Sequence, residues 1–200
     1  MTSRLSDLIE APAADPATTE ILDAALAIFT TLGIRKTNIE DIARQAGVDR
    51  VTVYRRLGTK NDIVNAVLAR EAQRVFERAA ASAGKSGDVD ERVALIFTGL
   101  VGDLRGNALF NKLMSIEPDT TFPKVSRGAG DLLRLAVDFA TTILLPDVES
   151  DDPDALTARI EIVARLVHSL FLTPDAAVEL KTRQQLLRFA RKYVVPIVTG

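Results

Sequence analysis

The sequence predicts an all-α chain of about nine helices, a short-helix N-terminal domain followed by a larger helical body. Three observations carry that expectation. Apolar residues recur at i, i+3, i+4 and i+7 along most segments. Capping residues and glycines punctuate them at helical intervals. No segment pairs strand-like alternation with a neighbour able to complete a hairpin.

The elements follow in order. Residues 1–16, with Pro12 and Pro16 among alanines, read as a flexible N-terminal arm. Ile21, Leu22, Ala25, Ile28, Phe29 and Leu32 then mark an amphipathic helix that Gly33 stops. In "TNIEDIARQAG", Asn38 and Asp41 have the spacing of a capping pair, with Ile39, Ile42, Ala43 and Ala46 on one face and Gly47 at the close. Asp49 caps a third short helix that ends at Gly58, and Thr59 opens a longer one with Ile63, Val67, Ala72 and Phe76 inward. Further helices are expected within 88–106, 107–116, 122–145 and 152–174. The last spans 182–198, with Thr182 and Gln185 as a capping box.

One stretch competes for a different assignment. In "AGVDRVTVYRRLGTK", residues 46–60, β-branched side chains alternate with others as in a strand. Eight residues bounded by Asp49 and Gly58, with helices close on both sides, have no strand to pair with. As a helix the segment turns Val53 and Leu57 to one side and Val51, Thr52, Arg55 and Arg56 to the other.

Composition narrows the functional classes. The 200 residues are 47% apolar, enough for a packed core, which excludes a disordered or fibrous chain. Without cysteine there is no disulfide framework and no thiolate metal site. No segment reaches transmembrane length and no leader is evident, so a cytoplasmic location and no membrane partner are expected. A net charge of −2 rules out a general polyanion binder. The charge is uneven, however: Arg35, Lys36, Arg44, Arg50, Arg55, Arg56 and Lys60 crowd one short region, while residues 146–154 are acidic. HExxH, P-loop, GxGxxG and GxSxG patterns are absent, and the aspartates beside Pro153 lack calcium-loop spacing. No catalytic residues, metal or cofactor are assigned, and an enzyme is not expected.

Two short helices meeting across a glycine-containing turn form a helix-turn-helix unit. Such a second helix fits the major groove of B-DNA, and Arg50, Arg55 and Arg56 supply forked donors for guanine edges or phosphate oxygens. The same basic residues could be only a solvated helix face. The full arrangement from Ile39 to Lys60 favours a reader of double-stranded DNA.

The stretch "TNIEDIARQAGVDRVTVYRRLGTKNDIV", preceded by the helix ending at Gly33, resembles the DNA-binding domain of TetR-type transcriptional regulators. The likeness covers roughly residues 17–65; beyond it only helix number and length are similar. It implies a helix-turn-helix DNA-binding domain over 17–62 and a C-terminal ligand-binding and dimerisation domain over 63–200. Carried over position by position, it implies that Arg50, Val51, Thr52 and Arg55 face bases or sugars. Tyr54, Arg56 and Lys60 would hold phosphates, and Thr37 and Asn38 would anchor backbone. Leu57 stands where the family usually has Phe, and Asn61 where it has Glu.

The body after residue 62 offers two expectations. Leu156, Ile160, Val163 and Val167, with Leu186, Ala190, Tyr193 and Val194, form apolar stripes suited either to the chain's own core or to a four-helix interface with a second copy. The resemblance favours a homodimer on a palindromic operator. Phe97, Leu100, Phe110, Met114, Phe122, Phe139 and the sole histidine, His168, are the expected pocket for a small-molecule effector, although helical aromatic spacing also describes ordinary core. The resulting expectation is a transcriptional regulator, a repressor by family habit, modulated by a small ligand. The alternative is an all-α small-molecule-binding protein or enzyme without operator recognition.

Overall fold

A computed structural model of the chain describes residues 15–83, 87–116, 129–144 and 152–200. The arm expected over the first residues therefore falls outside the description up to position 14. So do Phe122 and the start of the helix expected from it, and most of the acidic cluster.

Every regular element among the described residues is helical. In order they are α1 (Pro16–Leu32), α2 (Ile39–Ala46), α3 (Arg50–Leu57), α4 (Lys60–Ala83), α5 (Val89–Gly106), α6 (Ala108–Ile116), α7 (Gly130–Leu144) and α8 (Pro153–Leu172), followed by a C-terminal rod. The rod, α9, joins an α-helical stretch (Arg183–Phe189), a π turn (Ala190–Val194) and a final α-helical turn (Val195–Thr199). The π turn has a local cause. Pro196 has no N–H to offer the Lys192 carbonyl four residues back, and its ring crowds that carbonyl. The backbone widens, and the Val195 N–H bonds to the Ala190 carbonyl five residues back.

The chain divides into two compact units. Among the described residues one comprises 15–73, 107–116 and 129, and the other 74–83, 87–106, 130–144 and 152–200. The first has its own core, in which Ile21, Ala25, Phe29, Ile42, Val53, Ile63 and Val67 are sealed from solvent. Two residues of α6, Leu109 and Leu113, belong to that core although they lie more than forty positions further along the chain. The second unit is built on Phe97, Val101, Leu156, Ile160, Leu186, Ala190 and Val194. There the Arg105 guanidinium donates to the Leu170 carbonyl in the last turn of α8 at 3.2 Å and to the Leu180 carbonyl in the segment before α9 at 2.6 Å, tying the two together. Arg191 donates from Nε and Nη2, one edge of its guanidinium, to both Glu91 carboxylate oxygens at 2.9–3.1 Å.

The stripe expected to meet a second copy lies mostly inside this core. Leu156, Ile160, Val167, Leu186, Ala190 and Val194 are buried within the chain's own unit, and Val163 packs half-buried against it. Of the expected set only Tyr193 is exposed, at 50%; Ile162 on α8, which the periodicity assigns to the other side, is exposed at 54%. The intramolecular alternative therefore accounts for the stripe itself. The reason is geometric: a 3.6-residue apolar period is the same whether the face meets its own chain or another.

Candidate nucleic-acid interface

Local sequence determines how α2 and α3 are set. Asn38 accepts the Asp41 N–H at 2.9 Å, and Asp41 accepts the Asn38 N–H at 3.1 Å, a complete capping box. Gly47, at φ 68°, takes the left-handed turn that ends α2. Asp49 then opens α3, accepting the Thr52 N–H at 2.6 Å and the Thr52 hydroxyl at 3.1 Å. These bonds hold the Asp49 carboxyl below its ordinary value. Gly58 closes α3 at φ 76° and ψ −136°, and Thr59 and Asp62 cap the next helix reciprocally.

The result is a short helix fastened on one side and open on the other. Val53 is fully buried among the residues of α1 and α2, and Leu57 packs half-buried beside it. Val51 is 72% exposed, Tyr54 42%, and Arg50 and Arg55 are exposed as well. Thr52 is half-buried, and because its hydroxyl proton is committed to Asp49, that oxygen can only accept from a base while its methyl remains an apolar contact.

The basic residues are in three different states. Arg50 lies 5.2 Å from the centre of the Tyr54 ring and donates to the Tyr54 hydroxyl at 3.2 Å, so the two side chains are held as a pair. Arg55 is exposed, and its charge helps to lower the Asp49 carboxyl. Arg56 is held by Asp15, with Nη1 to Oδ1 at 2.6 Å, and touches the Thr18 hydroxyl at 3.4 Å. Lys60 donates to the Arg35 carbonyl at 3.4 Å, tying the start of α4 to the loop before α2.

Of the two anchors expected near α2, Asn38 is exposed and caps the helix. Thr37 is only 2% exposed; its hydroxyl donates to the Gly33 carbonyl at 2.7 Å and its N–H to the Ile34 carbonyl at 3.3 Å. Thr37 thus closes the loop between α1 and α2. Beside that loop, a half-open cleft is lined by Thr31, Leu32, Arg35, Lys36, Lys112 and Ile116, a cationic rim that periodicity does not reveal.

The expected pocket residues are divided between the units. Phe110 and Met114 are half-buried on α6 in the first. In the second, Phe97 is buried 6.1 Å from the Phe189 ring, Phe139 lies 4.8 Å from Phe76, and Leu100 and His168 are half-buried. Two buried polar residues join α6 to α4 within the first unit: Asn107 donates to the Glu71 carboxylate at 3.0 Å and, through its own oxygen, accepts the Phe110 N–H at 3.0 Å. No group of histidine or carboxylate side chains with metal-holding geometry occurs among the described residues, and no single described helix is long and apolar enough to cross a membrane.

Comparison with known proteins decides the class. Residues 21–67, from α1 to the first turns of α4, match the family model of bacterial regulatory proteins of the tetR family. These residues are a DNA-binding domain of the tetR family. Over 194 residues it is 26% identical to an uncharacterised HTH-type transcriptional regulator of Mycobacterium tuberculosis, covering 97% of this chain and 91% of that one. Over 49 residues it is 43% identical to the HTH-type transcriptional regulator SrpR of Pseudomonas putida, 24% of this chain and 23% of that one. Among solved structures, the fold is similar to the TetR family repressor AlkX from Dietzia, at 17% identity and a TM-score of 0.70, over 94% of this chain and 97% of that one. The protein is a transcriptional regulator with a TetR-type helix-turn-helix DNA-binding domain, and α2, its turn and α3 are that motif.

Proposed function

We propose that the protein is a homodimeric repressor that reads a palindromic operator through α3 and is released by a small-molecule effector. The observation that carries the reading is the two-sidedness of α3: Val53 is fully buried, while Arg50, Val51, Tyr54 and Arg55 stand open. A helix held by its back is presented rigidly, as base readout requires. In this arrangement Arg55, Val51 and Thr52 meet base edges, Arg55 as a guanine reader and Val51 at thymine methyls. The Arg50–Tyr54 pair lies at the groove wall, and Arg56, Lys60 and Asn38 hold phosphates. Thr37 acts behind them by fixing the loop.

Two copies of such a reader give the palindrome, with half-sites about one helical turn apart, roughly 34 Å. The exposed residues of α8 and α9, Ile162 and Tyr193 among them, supply the self-complementary face. The aromatic residues of the body suit a largely apolar effector, which weakens operator binding to the extent that it prefers the state unable to bind DNA.

Selection from a random duplex library tests the reading. A two-fold symmetric site bound with strong salt dependence is expected, and Arg55→Ala should relax preference at one position per half-site by a factor on the order of ten. Binding without sequence preference would overturn it.

A further inference from the structure

The Arg56 guanidinium, the clamp nearest the end of the reading helix, is already paired. Its Nη1 lies 2.6 Å from Asp15 Oδ1, across 41 positions of sequence. The same carboxylate caps α1: Oδ1 accepts the Ala17 N–H at 3.1 Å and the Thr18 N–H at 3.3 Å, and Oδ2 accepts the Thr18 hydroxyl at 2.7 Å. We infer that Asp15 is an exchangeable counter-charge that limits sequence-independent DNA affinity: it holds Arg56 in the free protein and gives it up to a backbone phosphate on binding. This rests on the reading that α3 enters the groove.

Three features support exchange over a permanent lock. Both side chains are partly in water, 31% exposed for Arg56 and 52% for Asp15, a setting in which an ion pair is screened and weak. Asp15 keeps its three capping bonds when Arg56 leaves, so no buried acceptor is orphaned. A phosphate also offers the planar guanidinium a matched pair of acceptors within a continuous field of like groups. With Asp15 beside it, Arg56 contributes almost no net charge to the encounter. Without that carboxylate it contributes one.

Asp15→Asn removes the charge with the least damage to the helix start. Asparagine is also a good N-cap whose Oδ1 can take the Ala17 and Thr18 N–H groups, although its amide nitrogen cannot accept from the Thr18 hydroxyl as Oδ2 does. Affinity for random duplex and for the selected operator should both rise, about three- to tenfold at low salt, and the slope of log affinity against log salt should steepen by up to about one. In an Arg56→Ala background the same change should do much less, because the partner it frees is gone. Loss of the charge and of the Thr18 hydroxyl bond should lower the melting midpoint by no more than about 5 °C, and retained protection over residues 15–20 in hydrogen exchange verifies that the cap survives. If Asp15→Asn leaves affinity and slope unaltered while the wild type binds its operator, Asp15 is a cap alone and the inference falls. An equal gain with and without Arg56 would also overturn it, by assigning the effect to overall charge. If the wild type shows no salt-dependent binding, the groove reading fails and the inference falls with it.

Discussion

Val53 and Val51 are the same residue type two positions apart on one helix, so exchanging each for alanine separates fold from recognition. Val53 is fully buried, and Val51 is 72% exposed. Truncating Val53 removes two buried methyl groups. At about 0.8 kcal/mol each, with a further contribution from the cavity because α3 is too short to collapse onto it, the loss is about 2 kcal/mol. Truncating Val51 uncovers almost nothing, and alanine's better helix propensity offsets even that, so the change stays within about 0.5 kcal/mol. On DNA the order reverses. Val51→Ala should lose preference for one base pair, about fivefold, while Val53→Ala, at a temperature where it is still folded, keeps its preference at lower apparent affinity. Hydrogen exchange over residues 50–57 reads the first effect, and site selection the second. Comparable destabilisation by both substitutions would refute the phase assigned to α3 and, with it, the contact set.

Gly58→Ala should cost about 1–3 kcal/mol and loosen both α3 and the start of α4 in hydrogen exchange. Its φ of 76° and ψ of −136° suit glycine, and an added Cβ would sit 2.7 Å from Asp62 Oδ2. Gly47→Ala, with nothing within 4 Å of its Cβ, should cost only about 1 kcal/mol. Acid should loosen the helix starts of the DNA-binding unit. Asp15, Asp49 and Asp62 all have carboxyls lowered from the ordinary 3.8: Asp15 and Asp62 chiefly by threonine hydroxyls, Asp49 chiefly by the Thr52 N–H. A depressed folded value stabilises above the unfolded one, so this contribution is intact at neutral pH and disappears as pH falls below 3.8 through the lowered values. Exchange over residues 15–20, 49–53 and 59–63 against pH measures it, and protection unchanged at acid pH would contradict it. Ile162→Glu should shift the protein from dimer to monomer in sedimentation with its helicity intact, whereas Leu186→Glu, buried at 3% exposure, should unfold the C-terminal unit. A dimer insensitive to Ile162→Glu would place the interface elsewhere.

What could be read from sequence was local. Asn38 with Asp41, Asp49, Thr182 with Gln185, and the glycines at 47 and 58 act within one turn of their own position, and the structure has the corresponding caps and turns. Helical phase likewise separates Val53 from Val51 without knowledge of the neighbours. Contacts across long sequence separations were illegible. The Arg56–Asp15 pair and the placement of Leu109 and Leu113 depend on which segments come together, and no periodicity encodes that. The apolar stripe on α8 and α9 fails for a related reason, since amphipathicity reports burial without naming the partner. The π turn is intermediate: Pro196 announces a fault in the helix, but whether it kinks, ends or widens depends on the packing of Ala190 and Val194.

The position of α6 bears most directly on regulation. Its Leu109 and Leu113 are sealed into the same core that holds Val53, and α6 packs against α1, which in turn packs against α3. Its Phe110 and Met114 are turned elsewhere and remain half-buried, among the residues proposed to meet an effector. A rigid nine-residue helix cannot move one face without the other. Its first turn is held by the buried Asn107–Glu71 bond, and the capping and carboxylate contacts of Asn107 are lost together if that side chain shifts. An effector gripping Phe110 and Met114 would therefore act on the reading helix through shared packing, without touching DNA-facing residues. On this argument Asn107→Ala should loosen α6, lower operator affinity in the absence of any effector, and leave the bases preferred by Arg55 and Val51 unchanged. An altered base preference would instead mean that α6 shapes the reading surface itself.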